Sequence, residues 1–431
     1  MKKVITYGSF DLFHFGHQRL LERAKALGDF LIVGVTSDDY DRTRGKINVK
    51  QSLAERIAAV KATGLADMVI VEEYDGQKID DIKKYNVDTF AIGSDWRGKF
   101  DYIGNYCELV YLERTEGISS SEIRAEQRHL NMGLVGDSAD FLAKFSKESE
   151  FVNGLDVVDT FSEKESNDGD FNDFLGRVDA VYIKTSYDKR HEYIKAALEA
   201  GKHVLCESPI CLSVEECKEL FELAEKKQCV LMEAIRTAYA TAYKRLCLLA
   251  EISKIGEVID VQATCTSMKK NDPEKYASMF EWGPNTLLPV FQILGTDYIN
   301  KNIITRSASN GEQGDIFTKA NFVFKNATAS IVAAEGAKAE GELVITGTRG
   351  YIYVPAPWWK TEYFEMRFEN PAHNRRYFYQ LDGEGIRYEL VEFLQATKDG
   401  KDVSRIDRKV TTAICQIMED FQSGKDVVKL A

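Results

Sequence analysis

The chain has no apolar run approaching bilayer-spanning length, no clustered basic tract and no Cys-x-x-Cys pair. The first absence excludes a membrane-spanning segment. No signal-peptide pattern precedes the first strand, so the expectation is a cytoplasmic protein with no membrane partner. A net charge of −12 without a basic tract argues against nucleic acid as a partner. The eight cysteines lack paired spacing, and several sit inside apolar patterns such as Val204-Leu205-Cys206 and Gln228-Cys229-Val230-Leu231. Buried reduced thiols are therefore expected, with neither metal ligands nor disulfides.

Histidine is also scarce, six in 431 residues, which makes the placement of two of them informative. His14 and His17 fall in His14-Phe15-Gly16-His17, directly after the apolar strand pattern from Val4 to Tyr7 and at the head of an amphipathic run. A strand, a tight Gly-containing turn and a helix start bearing two imidazoles suit polyphosphate, because free backbone N–H groups and the helix dipole attract anions.

At this length two or three domains are expected. Strand patterns from Val4 to Tyr7, Phe30 to Val35, Met68 to Val71, Thr89 to Ile92 and Leu109 to Leu112 alternate with helices near 17–27, 52–63 and 76–85, which predicts a doubly wound α/β domain. Ser119-Ser120-Ser121-Glu122 supplies N-cap candidates for a helix ending near Arg128. A second alternating series then runs from Asn131 to about 251, interrupted by an acidic stretch, Ser162 to Asp170, that reads as a surface loop. From Gly256 the strands cease to alternate with helices: Val258 to Thr264, Ala320 to Phe324, Thr328 to Ala333, Gly341 to Ile345 and Gly350 to Val354. They predict an open, mainly antiparallel sheet, with a helix from Trp282 to Leu294 and two closing helices near 385–398 and 407–422. The expected domains are 1–128, 129–252 and 253–431.

The HxGH pattern, the run Tyr7-Gly8-Ser9-Phe10-Asp11, the segment Gly93-Ser94-Asp95-Trp96-Arg97-Gly98-Lys99-Phe100-Asp101, and Arg114-Thr115-Glu116-Gly117-Ile118-Ser119-Ser120-Ser121 resemble the glycerol-3-phosphate cytidylyltransferase family. The resemblance covers about the first 128 residues and implies transfer of a cytidylyl group from CTP to a polyol phosphate, with Mg²⁺ accompanying the nucleotide. Such in-line transfer rests on positioning and charge neutralisation, so donors and cations are the residues to seek. His14, His17, Arg114 and Lys46 are the catalytic candidates; Ser9, Phe10, Gly16, Ser94, Asp95, Ser119, Ser120 and Ser121 are the nucleotide-binding ones. Asp11, Arg56 and Trp96 are candidates for the acceptor. Lys46 belongs to a basic loop with Arg42 and Arg44 whose family alignment is not clean, and Ser94 stands where the family more often has an acid.

Further on, Asp179 to Ile183, His191 and the stretch Ala197 to Pro209 resemble the Gfo/Idh/MocA oxidoreductase family, which implies a Rossmann domain, NAD(P) as cofactor and homo-oligomers formed through the carboxyl-terminal sheet. Its chemical signatures are altered. Gly136 keeps the first fingerprint glycine, but Ser138 and Phe141 take the second and third, and Asp137 puts an acid beside the pyrophosphate position. Asp159 is the ribose candidate. The family's Glu-Lys-Pro reads Glu207-Ser208-Pro209, and Asn285 replaces its histidine. Lys184, Tyr187, Lys189 and Arg236 border the expected cleft, and none is an obvious replacement acid or base. The aromatics of Gly350 to Trp359, with Tyr363 and Phe364, read as subunit interface.

Overall fold

Val4 to Tyr7 lies in a strand buried on both faces, as the middle of a parallel sheet requires. The computed structural model describes residues 1–38, 40, 49, 51–74, 76–113, 129–152, 154–162, 168–269, 275–308, 313–379, 381–399 and 405–430. They form two compact units, Met1–His129 and Leu130–Ala431.

In the first unit β1 (Lys3–Gly8), β2 (Phe30–Thr36), β3 (Met68–Glu72), β4 (Thr89–Gly93) and β5 (Glu108–Leu112) pair in parallel in the order β3-β2-β1-β4-β5. The order reverses at β1, so the carboxyl ends of β1 and β4 flank the crevice where such sheets take ligands. Helices α1 (Phe15–Lys25), α2 (Leu53–Ala62) and α3 (Gln77–Tyr85) are the crossovers. Ser52 and Glu55 close a reciprocal capping box that starts α2. Gly34 leaves room for Tyr7: a Cβ there would lie 2.2 Å from the tyrosine ring.

The second unit opens with β6 (Leu130–Gly136), β7 (Leu155–Phe161), β8 (Ala180–Lys184), β9 (His203–Glu207) and β10 (Leu231–Ala234), all parallel, in the order β10-β9-β8-β6-β7. Its switch point lies between β6 and β8. Helices α4 (Ala139–Ser149), α5 (Asp168–Leu175), α6 (Arg190–Glu199) and α7 (Val214–Lys227) connect these strands, and α8 (Thr241–Glu251) leads out. Helix α5 begins inside the stretch expected to be a loop: Phe171, Phe174 and Leu175 turn into the core and hold it, despite the acidic composition of its first turn.

A ten-stranded mixed sheet follows. It contains β11 (Val258–Ser267), β12 (Lys275–Ala277), β13 (Asn300–Ser307), β14 (Gln313–Val323), β15 (Thr328–Glu335), β16 (Leu343–Gly347), β17 (Gly350–Val354), β18 (Tyr363–Phe368), β19 (Arg375–Phe378) and β20 (Val427–Leu430). Most pairs are antiparallel; β11 with β15, β13 with β20 and β12 with β14 are parallel. Helix α9 (Ser278–Leu294) packs on it, and α10 (Ile386–Asp399) and α11 (Arg408–Ser423) return toward the Rossmann part. Trp358 is wholly buried and donates to Thr264 O at 2.8 Å, so this aromatic belongs to the core and not to a surface.

Candidate active site

The connection from β1 to α1 is strained. Phe10 and Leu12 both have left-handed backbone, φ 53° and 46°, a conformation that costs non-glycine residues roughly 1 kcal/mol or more and recurs at functional turns. Phe10 is buried, and its ring supports His17 edge-on at 5.5 Å. His14 is the N-cap of α1, and its Nδ1 accepts from the Gly16 N–H at 3.1 Å. That bond puts the proton of the neutral ring on Nε2, a donor suited to a phosphate oxygen. The His14 and His17 rings stack with centroids 3.9 Å apart. Both imidazoles and the first N–H groups of α1 therefore gather beyond the carboxyl end of β1.

Beneath this turn, Asp11 is buried and accepts from Gln51 N at 2.9 Å. Arg56, with no exposed surface, donates to Ser9 O at 2.6 Å, Thr36 O at 2.8 Å and Gln51 O at 3.1 Å, and pairs with Asp38. At the neighbouring strand end, Ser94, Asp95 and Trp96 form a single 3-10 turn directly after β4. Asp95 is exposed, Ser94 and Trp96 are half-buried, and the Trp96 ring packs on Phe100. Lys46, Arg114, Ser119, Ser120 and Ser121, like Arg42 and Arg44, lie outside the described residues. One cation escaped the sequence reading: Lys78, at the start of α3, is buried against Glu72 with its ammonium 4.8 Å from the Tyr7 ring and 5.4 Å from Phe100. In the sequence nothing sets it apart from Lys83 and Lys84 of the same helix, so the sequence held no signal for it.

The second unit has a crevice of its own. At the β6 to α4 turn, a Cβ on Gly136 would stand 2.4 Å from Lys184 O, so only glycine lets β6 and β8 meet there. Ser138 caps α4 without a side-chain hydrogen bond, and Asp137 accepts from Ser162 at 2.8 Å. Phe141 packs on Tyr182, with Lys184 Nζ 4.0 Å from its ring centroid. Glu207 at the end of β9 accepts from the Tyr182 hydroxyl and pairs with Arg236 at 3.1 Å. Burial pushes the Glu207 carboxyl up, but Lys184 and Arg236 outweigh it and hold the group down at about 2. Glu389 of α10, buried in the same cluster, is pushed up to about 8 by burial, against the pull of Arg236. Ser208 turns to Glu233, and Pro209 follows through a cis peptide. Asn285 meets Thr237 at 3.4 Å, and Tyr187 bonds Glu281. Asp159 lies in mid-strand, in register with Gly133 and bonded to Arg177 at 2.7 Å, so it does not reach the Gly136 turn.

Residues 5–126 match the family model "Cytidylyltransferase-like". A glycerol-3-phosphate cytidylyltransferase of Bacillus spizizenii is 50% identical over 130 residues, 30% of this chain and 100% of that protein. The chain belongs to the cytidylyltransferase family. Another member, the glycerol-3-phosphate cytidylyltransferase of Staphylococcus aureus, is 44% identical over 126 residues, 29% of this chain and 95% of its own. Residues 121–235 match "Oxidoreductase family, NAD-binding Rossmann fold", the Gfo/Idh/MocA family. The 3-ketoreductase KijD10 of Actinomadura kijaniata, solved with TDP-benzene and NADP, superposes with a TM-score of 0.60 at 16% identity, covering 70% of this chain and 100% of that one. This cytidylyltransferase is thus a nucleotidyltransferase domain fused to a Gfo/Idh/MocA oxidoreductase-like region, the arrangement its two sets of motifs implied.

The second unit of this cytidylyltransferase has the fold of an NAD-binding family, and its own residues meet a dinucleotide unevenly. The Gly136 turn keeps the tight backbone a pyrophosphate needs, while Asp137 places a carboxylate beside it. Ser208, turned to Glu233, and Asn285, held by Thr237, offer neither the charge nor the titrating group of the family's lysine and histidine. No hydride-transfer step follows from them.

Proposed function

We propose that the first unit joins CTP to a polyol phosphate, with glycerol 3-phosphate as the leading acceptor, giving a CDP-polyol and pyrophosphate. One observation carries the reading: the stacked His14 and His17 at the amino end of α1, beyond the switch-point strand. As the acceptor phosphate attacks the α-phosphorus, charge builds on the oxygens leading to the leaving pyrophosphate. His14 Nε2–H, His17 and the N–H groups around Gly16 are donors for that charge, with Ser9 and Phe10 completing the turn. Lys46 and Arg114 are proposed to add positive charge, Ser119, Ser120 and Ser121 to supply donors at a helix start, and Ser94 and Asp95 to hold the base and ribose. Asp11 and Arg56 act by fixing the turn, and Trp96 shapes the acceptor side. Mg²⁺ accompanying the triphosphate would supply further charge neutralisation.

Pyrophosphate release from CTP on adding sn-glycerol 3-phosphate tests this reading. Release with that acceptor supports it, and silence with every polyol phosphate tried contradicts it. The product would feed a cell-surface polymer such as capsule or teichoic acid, and the setting would be cytoplasmic.

We further propose three bodies, 1–128, 129–252 and 253–431, in a homo-oligomer, with the second half holding a nucleotide or sugar phosphate without transferring hydride. The retained Gly136 turn favours one alternative, an NAD(P)-dependent reductase that makes the polyol phosphate. NADH or NADPH titration with a keto-sugar or triose phosphate separates the two: oxidation of the cofactor supports the alternative and removes the proposal.

A further inference from the structure

Among the described residues, three cysteines far apart in sequence converge inside the second unit. Cys211 follows the Ser208-Pro209 peptide, Cys217 lies in the first turns of α7, and Cys415 lies in the middle of α11, 204 residues from Cys211. All three are buried, at 1% exposure or less, and their sulfurs lie within 4.8 Å of one another. The Cys211 and Cys415 sulfurs are 3.7 Å apart. That is too long for a disulfide, whose sulfurs are about 2.05 Å apart. It matches the edge of a tetrahedron of thiolates around a zinc-sized ion, roughly 3.8 Å for a metal–sulfur bond of about 2.3 Å.

Small apolar thiols would pack in a core without further explanation. A fourth group makes this cluster different. Glu233 on β10 is 2% exposed and lies within electrostatic reach of Cys217. Ser208 donates to its Oε1, and the buried Thr411 hydroxyl of α11 also faces the carboxyl without closing a full hydrogen bond to Oε2. A buried carboxyl held this loosely has an oxygen free to turn toward a cation. Ser208 then has a reason to stand where its family carries lysine: it is short enough to turn inward and orient the carboxylate, as outer-shell donors orient metal ligands.

We propose that Cys211, Cys217 and Cys415, with Glu233 turning in as the fourth ligand, form a closed site for a borderline-soft divalent cation of the zinc class. Each thiol that binds gives its S–H proton to solvent, and no oxidation is involved. Four protein ligands leave no open position, so the site is structural. It clasps the Ser208-Pro209 segment, α7, β10 and α11 together.

The test uses the full chain, purified without chelator, analysed for metal, then stripped and titrated with Co²⁺. The expected result is about one zinc per chain as purified and, with Co²⁺, an intense thiolate-to-cobalt charge-transfer band that saturates at one equivalent. Cys415→Ser and Cys217→Ser should each weaken Co²⁺ binding at least 100-fold, Glu233→Gln at least 10-fold, and Cys229→Ser, at a thiol outside the cluster, should leave it unchanged. Absence of the band in the unaltered chain overturns the proposal without reliance on any variant's folding. So does a Co²⁺ signal equal in Cys415→Ser, or a Cys211–Cys415 disulfide in the purified protein.

Discussion

His14 and His17 lie face to face, 3.9 Å between ring centroids and 24° between planes, with His14 anchored by the Gly16 amide it caps. Neither ring is positioned independently of the other, so the pair acts as one device.

Replacing either histidine by alanine should lower kcat for pyrophosphate release by about 10²–10³-fold, the usual cost of losing a transition-state donor. The double variant should fall short of the product of the two losses, because each single change already unseats its neighbour. Steady-state kinetics of the three variants checks this; strictly multiplicative losses would mean that the rings act separately.

Arg56 ties the β1–α1 turn to α2 and β2 through the carbonyls of Ser9, Thr36 and Gln51. Arg56→Met should destabilise the first unit by about 3 kcal/mol, since buried acceptors lose their donor. Urea denaturation followed by a probe in the first unit reads it. Arg56→Lys should recover little, because an ammonium cannot span the same fork of acceptors.

Glu389 gives the second unit a pH dependence of known sign. Its folded pKa, about 8, lies above the ordinary 4.5, so the unfolded chain releases this proton first. The contribution to stability is full below about pH 4.5 and is lost as pH rises toward 8, at about 1.4 kcal/mol per unit of pKa difference. Glu207, held down at about 2, acts in the opposite sense but at much lower pH, where its stabilisation disappears. Glu389→Gln should flatten the fall in stability between about pH 5 and pH 8, measured by urea denaturation. An unchanged slope would show that the carboxyl is already ionised in the folded chain.

Gly136→Ala should push β6 and β8 apart at their carboxyl ends, because the added methyl meets Lys184 O. Hydrogen exchange at Leu134 and Ile183 should rise, and any dinucleotide affinity should drop at least tenfold. Full protection in the variant would show that the strands can part there at no cost.

Much of this was legible in the sequence, for physical reasons that also explain the misses. Strands buried on both faces, such as Lys3–Gly8 and Ala180–Lys184, read as unbroken apolar runs, and the parallel sheets followed from their alternation with helices. Strands Asn300–Ser307 and Arg375–Phe378 went unread because they are polar and one-sided or largely exposed, and become strands only by pairing with neighbours. His14 and His17 announced themselves by spacing. Lys78 and the cysteine cluster did not, because burial against Glu72 and convergence across 204 residues leave no local pattern. The expectation of buried reduced thiols gave no hint that three of them meet.

The most direct test of the central claim is ³¹P NMR of the full chain incubated with CTP, Mg²⁺ and sn-glycerol 3-phosphate. The account predicts the paired resonances of a CDP-polyol alongside pyrophosphate, and neither product from His14→Ala/His17→Ala. Undiminished product from that double variant, or untouched CTP in the unaltered chain, would contradict it.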